Sequence, residues 1–212
     1  EKAEPLYRRC LELRERALGA EHPSTQTSLN NLGELLREKE DYAKAEPLYR
    51  RCVDISERTL GPEHPATLQF VGCLGKLFQS KGDYTKAEPL YRRCLEVSER
   101  KLGDDNPTTL TYRNNLAGLL TSKGDYTSAE PLYERGLDGS IDFEEIVHPD
   151  ASRFAFNYYK FCYLSGVKEP PLEKLESLYA KLESQKGKNH LWTRDCVKLI
   201  AKIKDNLSED NQ

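Results

Sequence analysis

No stretch of this 212-residue chain approaches the roughly 20 consecutive apolar residues that cross a bilayer. An excess of charge is missing too: 32 Lys and Arg stand against 35 Asp and Glu, a formal net charge of −3. So even a balance gives nucleic acid or an anionic membrane surface little to hold, and neither is expected as a partner. Apolar residues are scarce at 37%. That is lean for one large globular core, and it leaves a chain that is partly disordered or elongated. There is no signal peptide and no initiating methionine, and the chain opens inside a repeated motif, so it is expected to be a piece of something longer.

Signs of catalysis are equally sparse. No Gly-rich phosphate loop, nucleophile elbow or paired-carboxylate arrangement appears, so the chain is read as a non-enzyme without a cofactor. Six cysteines raise the question of disulfides or metal. Cys10, Cys52 and Cys94 share one repeat position, while Cys73, Cys162 and Cys196 fall within apolar helical patterns. Helices pack about 8–10 Å apart, so equivalent residues two helices on stand about 16–20 Å apart. That is too far for a disulfide or a shared zinc ion. Free, buried thiols in a reducing compartment remain, and a cytoplasmic location is expected.

What the chain does have is repetition. AEPLYRRC stands at Ala3–Cys10, Ala45–Cys52 and Ala87–Cys94, and a weaker copy, AEPLYERG, at Ala129–Gly136, always 42 residues apart. Within one period, Val71, Leu74, Gly75, Leu77 and Phe78 make one helical face, and Ala87, Leu90, Tyr91, Cys94, Leu95 and Val97 make a second. Between them, Gly82 is suited to end the first helix in a left-handed conformation and Asp83 to cap the next. Each period is therefore a hairpin of a first (A) and a second (B) helix. His22-Pro23, His64-Pro65, Asn106-Pro107 and His148-Pro149 precede the A helices, with proline at the position where its missing N–H costs nothing. Pro47 and its equivalents lie deeper in the B helices, where one hydrogen bond is lost and a slight bend is expected. The Arg pairs invite a phosphate ladder. They are better explained as i,i+4 ion pairs, Arg8–Glu12, Arg50–Asp54 and Arg92–Glu96.

The stretch LGELLREKEDYAKAEPLYRRC, from Leu32, resembles the tetratricopeptide repeat at Leu32-Gly33, Leu36, Tyr42, Ala45, Tyr49 and Cys52. Eight extra residues per unit, with AEPLYRR, LG and HP together, make the unit similar to the 42-residue repeats of kinesin light chains and nephrocystin-type proteins. The resemblance implies an all-α fold, a right-handed α-α superhelix of antiparallel helical hairpins closed by a C-terminal capping helix. The expected organisation is a lone B helix at 1–22, repeats at 23–64 and 65–106, and a degenerate repeat at 107–147, where Gly136 and Gly139 weaken the helix end. A divergent repeat at 148–188 and a capping helix at 189–207 complete the chain.

In such a stack the A helices line the concave surface. By register, the second unit exposes Thr27, Asn30, Glu34 and Arg37, and the third Gln69, Gly72, Lys76 and Gln79. The fourth offers Thr111, Asn114, Gly118 and Thr121, and the fifth Arg153, Phe156, Lys160 and Tyr163. One residue on come Asn31, Cys73, Asn115 and Asn157. The resemblance implies that asparagines there hydrogen-bond a ligand's main chain, although the same side chains could instead tie adjacent helices together. Arg37, Lys76, Arg153 and Lys160 against Glu34 make this face basic. The expected function is thus a protein-interaction scaffold binding an acidic peptide or partner. Its nominated contacts are Asn30, Asn31, Arg37, Lys76, Asn114, Asn115, Arg153, Phe156, Asn157 and Lys160. The alternative that the resemblance implies is a regulatory domain controlling a fused NTPase or caspase-like peptidase. Self-association through an apolar edge at Leu6, Cys10 and Leu13 is a third possibility.

Overall fold

A computed structural model describes residues 3–138, 149–166, 172–187 and 191–209. Among these residues the chain is entirely helical between its turns. It divides into two compact units, residues 1–101 and 102–212. The first holds α1 (Ala3–Leu18), α2 (Pro23–Glu38), α3 (Tyr42–Leu60), α4 (Pro65–Ser80) and α5 (Tyr84–Leu102). The second holds α6 (Pro107–Lys123), α7 (Tyr126–Asp138), α8 (Pro149–Ser165), α9 (Leu172–Lys186) and α10 (Leu191–Glu209). Consecutive helices pack as antiparallel hairpins. Each A helix also touches the next A helix in its unit: α2 meets α4, α6 meets α8, and α8 meets α10.

The helix ends follow from local chemistry. His22 and His64 accept the Ser24 and Ala66 amides on their Nδ1 atoms at 3.1 and 3.2 Å, and Asn106 accepts the Thr108 amide at 2.9 Å. At the A-to-B turns the chain passes through the left-handed region at Gly82 (φ 80°) and Gly124 (φ 81°). The next amide then reaches back to close the last turn, Asp83 N to Phe78 O at 2.9 Å and Asp125 N to Leu120 O at 2.9 Å. The same turn in the preceding repeat places Glu40 at φ 61°, and Asp41 N still reaches Leu36 O at 2.9 Å. A side chain with a Cβ is strained there, while glycine is not. Glu40→Gly is therefore expected to raise stability by about 0.5–1 kcal/mol in urea denaturation, the strain relief outweighing the added freedom of the unfolded chain.

The core follows the 42-residue period. Tyr49, Tyr91 and Tyr133 of the B helices are fully buried. A Cβ on Gly33 would stand 3.1 Å from the Tyr49 ring, and one on Gly75 only 2.8 Å from the Tyr91 ring. The Leu-Gly pair of the A helix thus exists to let a tyrosine ring lie against the backbone. Cys52 and Cys94 donate their thiols to Gln26 O and Leu68 O of the facing A helices at 3.7 and 3.3 Å. Burial pushes both thiols up to about 12, so they remain protonated at neutral pH. In the second unit aromatic rings take over: Tyr133 and Phe161 lie 5.2 Å apart, centroid to centroid. Helix α7 has 13 residues where α3 and α5 have 19. The weak point expected at Gly139 lies outside the described residues, as does the rest of 139–148. Helix α1 leaves Leu6 and Leu13 exposed, whereas their equivalents in α3 are half-buried Leu48 and buried Ile55.

The arginine pairs differ from expectation. Arg8, Arg50 and Arg92 bind Glu4, Glu46 and Glu88, four residues back, rather than Glu12, Asp54 and Glu96. Side chains on a helix tilt toward its N-terminus, so an arginine finds the preceding turn more readily than the following one. The second arginine of each later pair leaves its own repeat: Arg51 meets Glu15 at 2.6 Å and Arg93 meets Glu57 at 2.7 Å. Each contributes a few tenths of a kcal/mol, and as a ladder they help set the register of successive hairpins.

Candidate functional site

In the first unit residues of α2, α3 and α4 converge on one carboxylate. Glu34 receives Arg37 Nη2 at 2.5 Å and Nε at 3.1 Å, Lys76 Nζ at 3.1 Å, and the Tyr49 hydroxyl at 2.9 Å. Arg37 also donates to Ser80 Oγ at 3.3 Å. Glu34 and Lys76 occupy the same repeat position 42 residues apart, and the packing of successive A helices brings them together. Burial alone would push the Glu34 carboxyl up, but Arg37, Lys76 and Tyr49 overcome it and hold the group at about 2. The hydrogen bond to Glu34 raises the Arg37 guanidinium in turn. Two of the four cations nominated from the sequence are therefore already engaged. The cluster carries one net positive charge.

Beside it lies an unmet hydrogen-bonding need. The Oδ1 atom of half-buried Asn30 is itself fully buried and has no hydrogen-bond partner among the described residues. In the second unit the equivalent atom, Asn114 Oδ1, accepts from Asn157 Nδ2 at 2.9 Å. The residue that would do the same for Asn30 is Cys73, 42 residues before Asn115 and next to Gly72. Burial, followed by the nearby Glu34 charge, pushes the Cys73 thiol up to about 11. Asn31 is exposed alongside, and Asn115 is half-buried at the same position of α6. Asn114 and Asn157 tie helices together, while Asn30 keeps an acceptor unused.

Phe156 and Lys160 lie on α8 facing α10, with Phe156 and Tyr163 packed against the buried cluster of Tyr159, Leu175, Cys196, Leu199 and Ile203. Phe156, Lys160, Asp195, Lys198, Leu199 and Lys202 surround a cavity of about 330 Å³. Arg153 belongs to α8, but its side chain lies outside the described residues. Sequence reasoning missed Lys198 and Lys202, although Lys202 follows Lys160 by 42 residues.

The family model for the tetratricopeptide repeat matches residues 1–58, 24–69 and 70–141. The chain belongs to the tetratricopeptide repeat family. Among solved structures it is similar to the nearly identical TPR-like repeats assigned to a kinesin light chain of Podosopora anserina, in two crystal structures, one of a point variant. Identity is 21% and 22%, coverage 87% of this chain and 87% and 88% of those chains, and the TM-scores are 0.69 and 0.68. BtubC (BKLC) from P. vanneervenii matches at 17% identity over 97% of this chain and 91% of that one, with a TM-score of 0.64. These structures share the fold. No curated protein sequence matches significantly. Repeats of this family are generally non-enzymatic interaction scaffolds. Among the described residues no helix is long and apolar enough to cross a membrane.

Proposed function

We propose that the tetratricopeptide repeats of this chain bind an extended peptide segment bearing acidic residues, using the inner faces of the A helices. The observation that carries this reading is the buried, unpartnered Oδ1 of Asn30. A buried acceptor without a donor costs about 1–3 kcal/mol, a burden the free protein gains nothing from. Turned outward, the half-buried Asn30 amide would take that donor from a backbone N–H of a bound strand, with exposed Asn31 beside it to bind the strand further. The surplus positive charge of the Glu34–Arg37–Lys76 cluster favours acidic residues in the ligand.

Asn30→Leu separates a binding role from a structural one. Removing the orphan acceptor is expected to leave the protein as stable or about 1 kcal/mol more stable in urea denaturation. It should also weaken a short fluorescein-labelled peptide, Glu-Phe pairs spaced by Gly-Ser, by about tenfold in fluorescence anisotropy, the equivalent of one lost hydrogen bond. A variant that loses stability and binds the peptide unchanged would overturn the assignment.

A further inference from the structure

We propose that α10 is a fifth inner-wall helix rather than a terminal cap, and that with α8 it forms the pocket in which an acidic residue of the ligand, flanked by an apolar one, is held. This rests on the peptide-binding reading above and locates its charge recognition.

The register supports the first half. Helices α2, α4, α6, α8 and α10 begin at residues 23, 65, 107, 149 and 191, each 42 after the last. Helix α10 packs against both α8 and α9, as α4 packs against α2 and α3. Its inner positions then coincide with those of the earlier A helices: Asp195 with Arg153, Lys198 with Phe156, Leu199 with Asn157, and Lys202 with Lys160. The motif residues that advertise an A helix, proline at the start and Leu-Gly in the middle, are gone, but the helix kept its place in the stack.

Composition of the pocket supports the second half. Its apolar wall is Phe156, Tyr163, Leu164 and Leu199, and three ammonium groups, Lys160, Lys198 and Lys202, stand around it. The single carboxylate, Asp195, lies 3.9 Å from Lys198. Lys160 and Lys202 make no ion pair among the described residues, and both are exposed. The pocket therefore carries two net positive charges, against one in the Glu34 cluster, whose cations are already bound to a carboxylate. At about 330 Å³ it sits at the small end of the roughly 300–1,000 Å³ range of ligand sites, room for one or two side chains and not for a folded partner. A carboxylate among lysines with an apolar neighbour against Phe156 fits both the charge and the volume.

The test uses the whole chain and the same Glu-Phe peptide, with its Gln-Phe counterpart as the uncharged control. Lys198→Gln/Lys202→Gln is expected to weaken the Glu-Phe peptide at least tenfold, to flatten its salt dependence, and to leave the Gln-Phe peptide and the thermal melt unchanged. Lys76→Gln, whose ammonium is shared with Glu34, should weaken the Glu-Phe peptide by only about twofold to threefold. If Lys76→Gln has the larger effect, or the α10 variant binds like the wild type while Asn30→Leu still weakens binding, this inference falls and the peptide-binding reading stands. If the wild type binds neither peptide, both fall.

Discussion

Tyr91→Ala is expected to destabilise the unit of residues 1–101 by about 3–5 kcal/mol, the loss that follows removal of a fully buried aromatic ring. The ring lies against the α4 backbone at Gly75, where no side chain fits: a Cβ would stand 2.8 Å from the ring edge. The converse change, Gly75→Leu, should also destabilise, by about 1–3 kcal/mol, through overpacking. The double variant decides whether these are one contact. The leucine would enter the space the ring vacates, so the combined loss should fall short of the sum by more than about 1 kcal/mol. An additive result in urea denaturation would show that ring and glycine do not confront each other. The hydroxyl groups offer a finer comparison. Tyr91 donates to the neutral amide oxygen of Gln79 at 3.0 Å, while Tyr49 donates to the Glu34 carboxylate at 2.9 Å. Tyr91→Phe is expected to cost about 1 kcal/mol and Tyr49→Phe about 1.5–3, because a hydrogen bond to a charged group is the stronger.

Such contacts were partly legible in the sequence. The invariant 42-residue interval is a direct record of stacking, since a unit that must meet its copy in one orientation cannot tolerate drift in length. Proline marked the A-helix starts, and the Gly-Asp pair marked the turns, because both act through backbone geometry that neighbours do not change. Side-chain partners were less legible. Arg50 could have used Asp54 as readily as Glu46 by spacing alone, and only the tilt of the helical side chain selects Glu46. Charges summed by position made Arg37 and Lys76 appear free, when a period of 42 places Lys76 directly over Glu34. Asn30 and Asn114 looked equivalent. Their difference lies in what sits on the next A helix, a cysteine with no amide to give or an asparagine that has one. In α10 the motif had eroded while the position persisted, and a pattern search reads the first but not the second.

Glu34→Gln should have two effects of opposite benefit, and together they test whether the cluster is a brake on the inner face. The variant keeps the size of the side chain but loses the charge that holds Arg37, Lys76 and Tyr49. At neutral pH the expected loss is about 1–2 kcal/mol, below the roughly 3–5 of a fully buried pair because a third of the Glu34 side chain is exposed. That difference has a pH signature. The carboxyl lies at about 2 in the folded chain against 4.5 when unperturbed, so its contribution is complete above about pH 4.5. It then shrinks as the pH falls toward 2, where folded and unfolded forms both take up the proton. Wild type and variant should therefore converge in stability across that window, measured by urea denaturation at several pH values. A gap that persists at low pH would assign the loss to packing rather than charge. Meanwhile Arg37 and Lys76, released from their carboxylate, should make the variant bind the Glu-Phe peptide about threefold to tenfold more tightly at low salt, with a steeper salt dependence than the wild type. Unchanged affinity would mean that these two cations do not face the ligand, and would leave the pocket of α8 and α10 as the part of the chain that senses its charge.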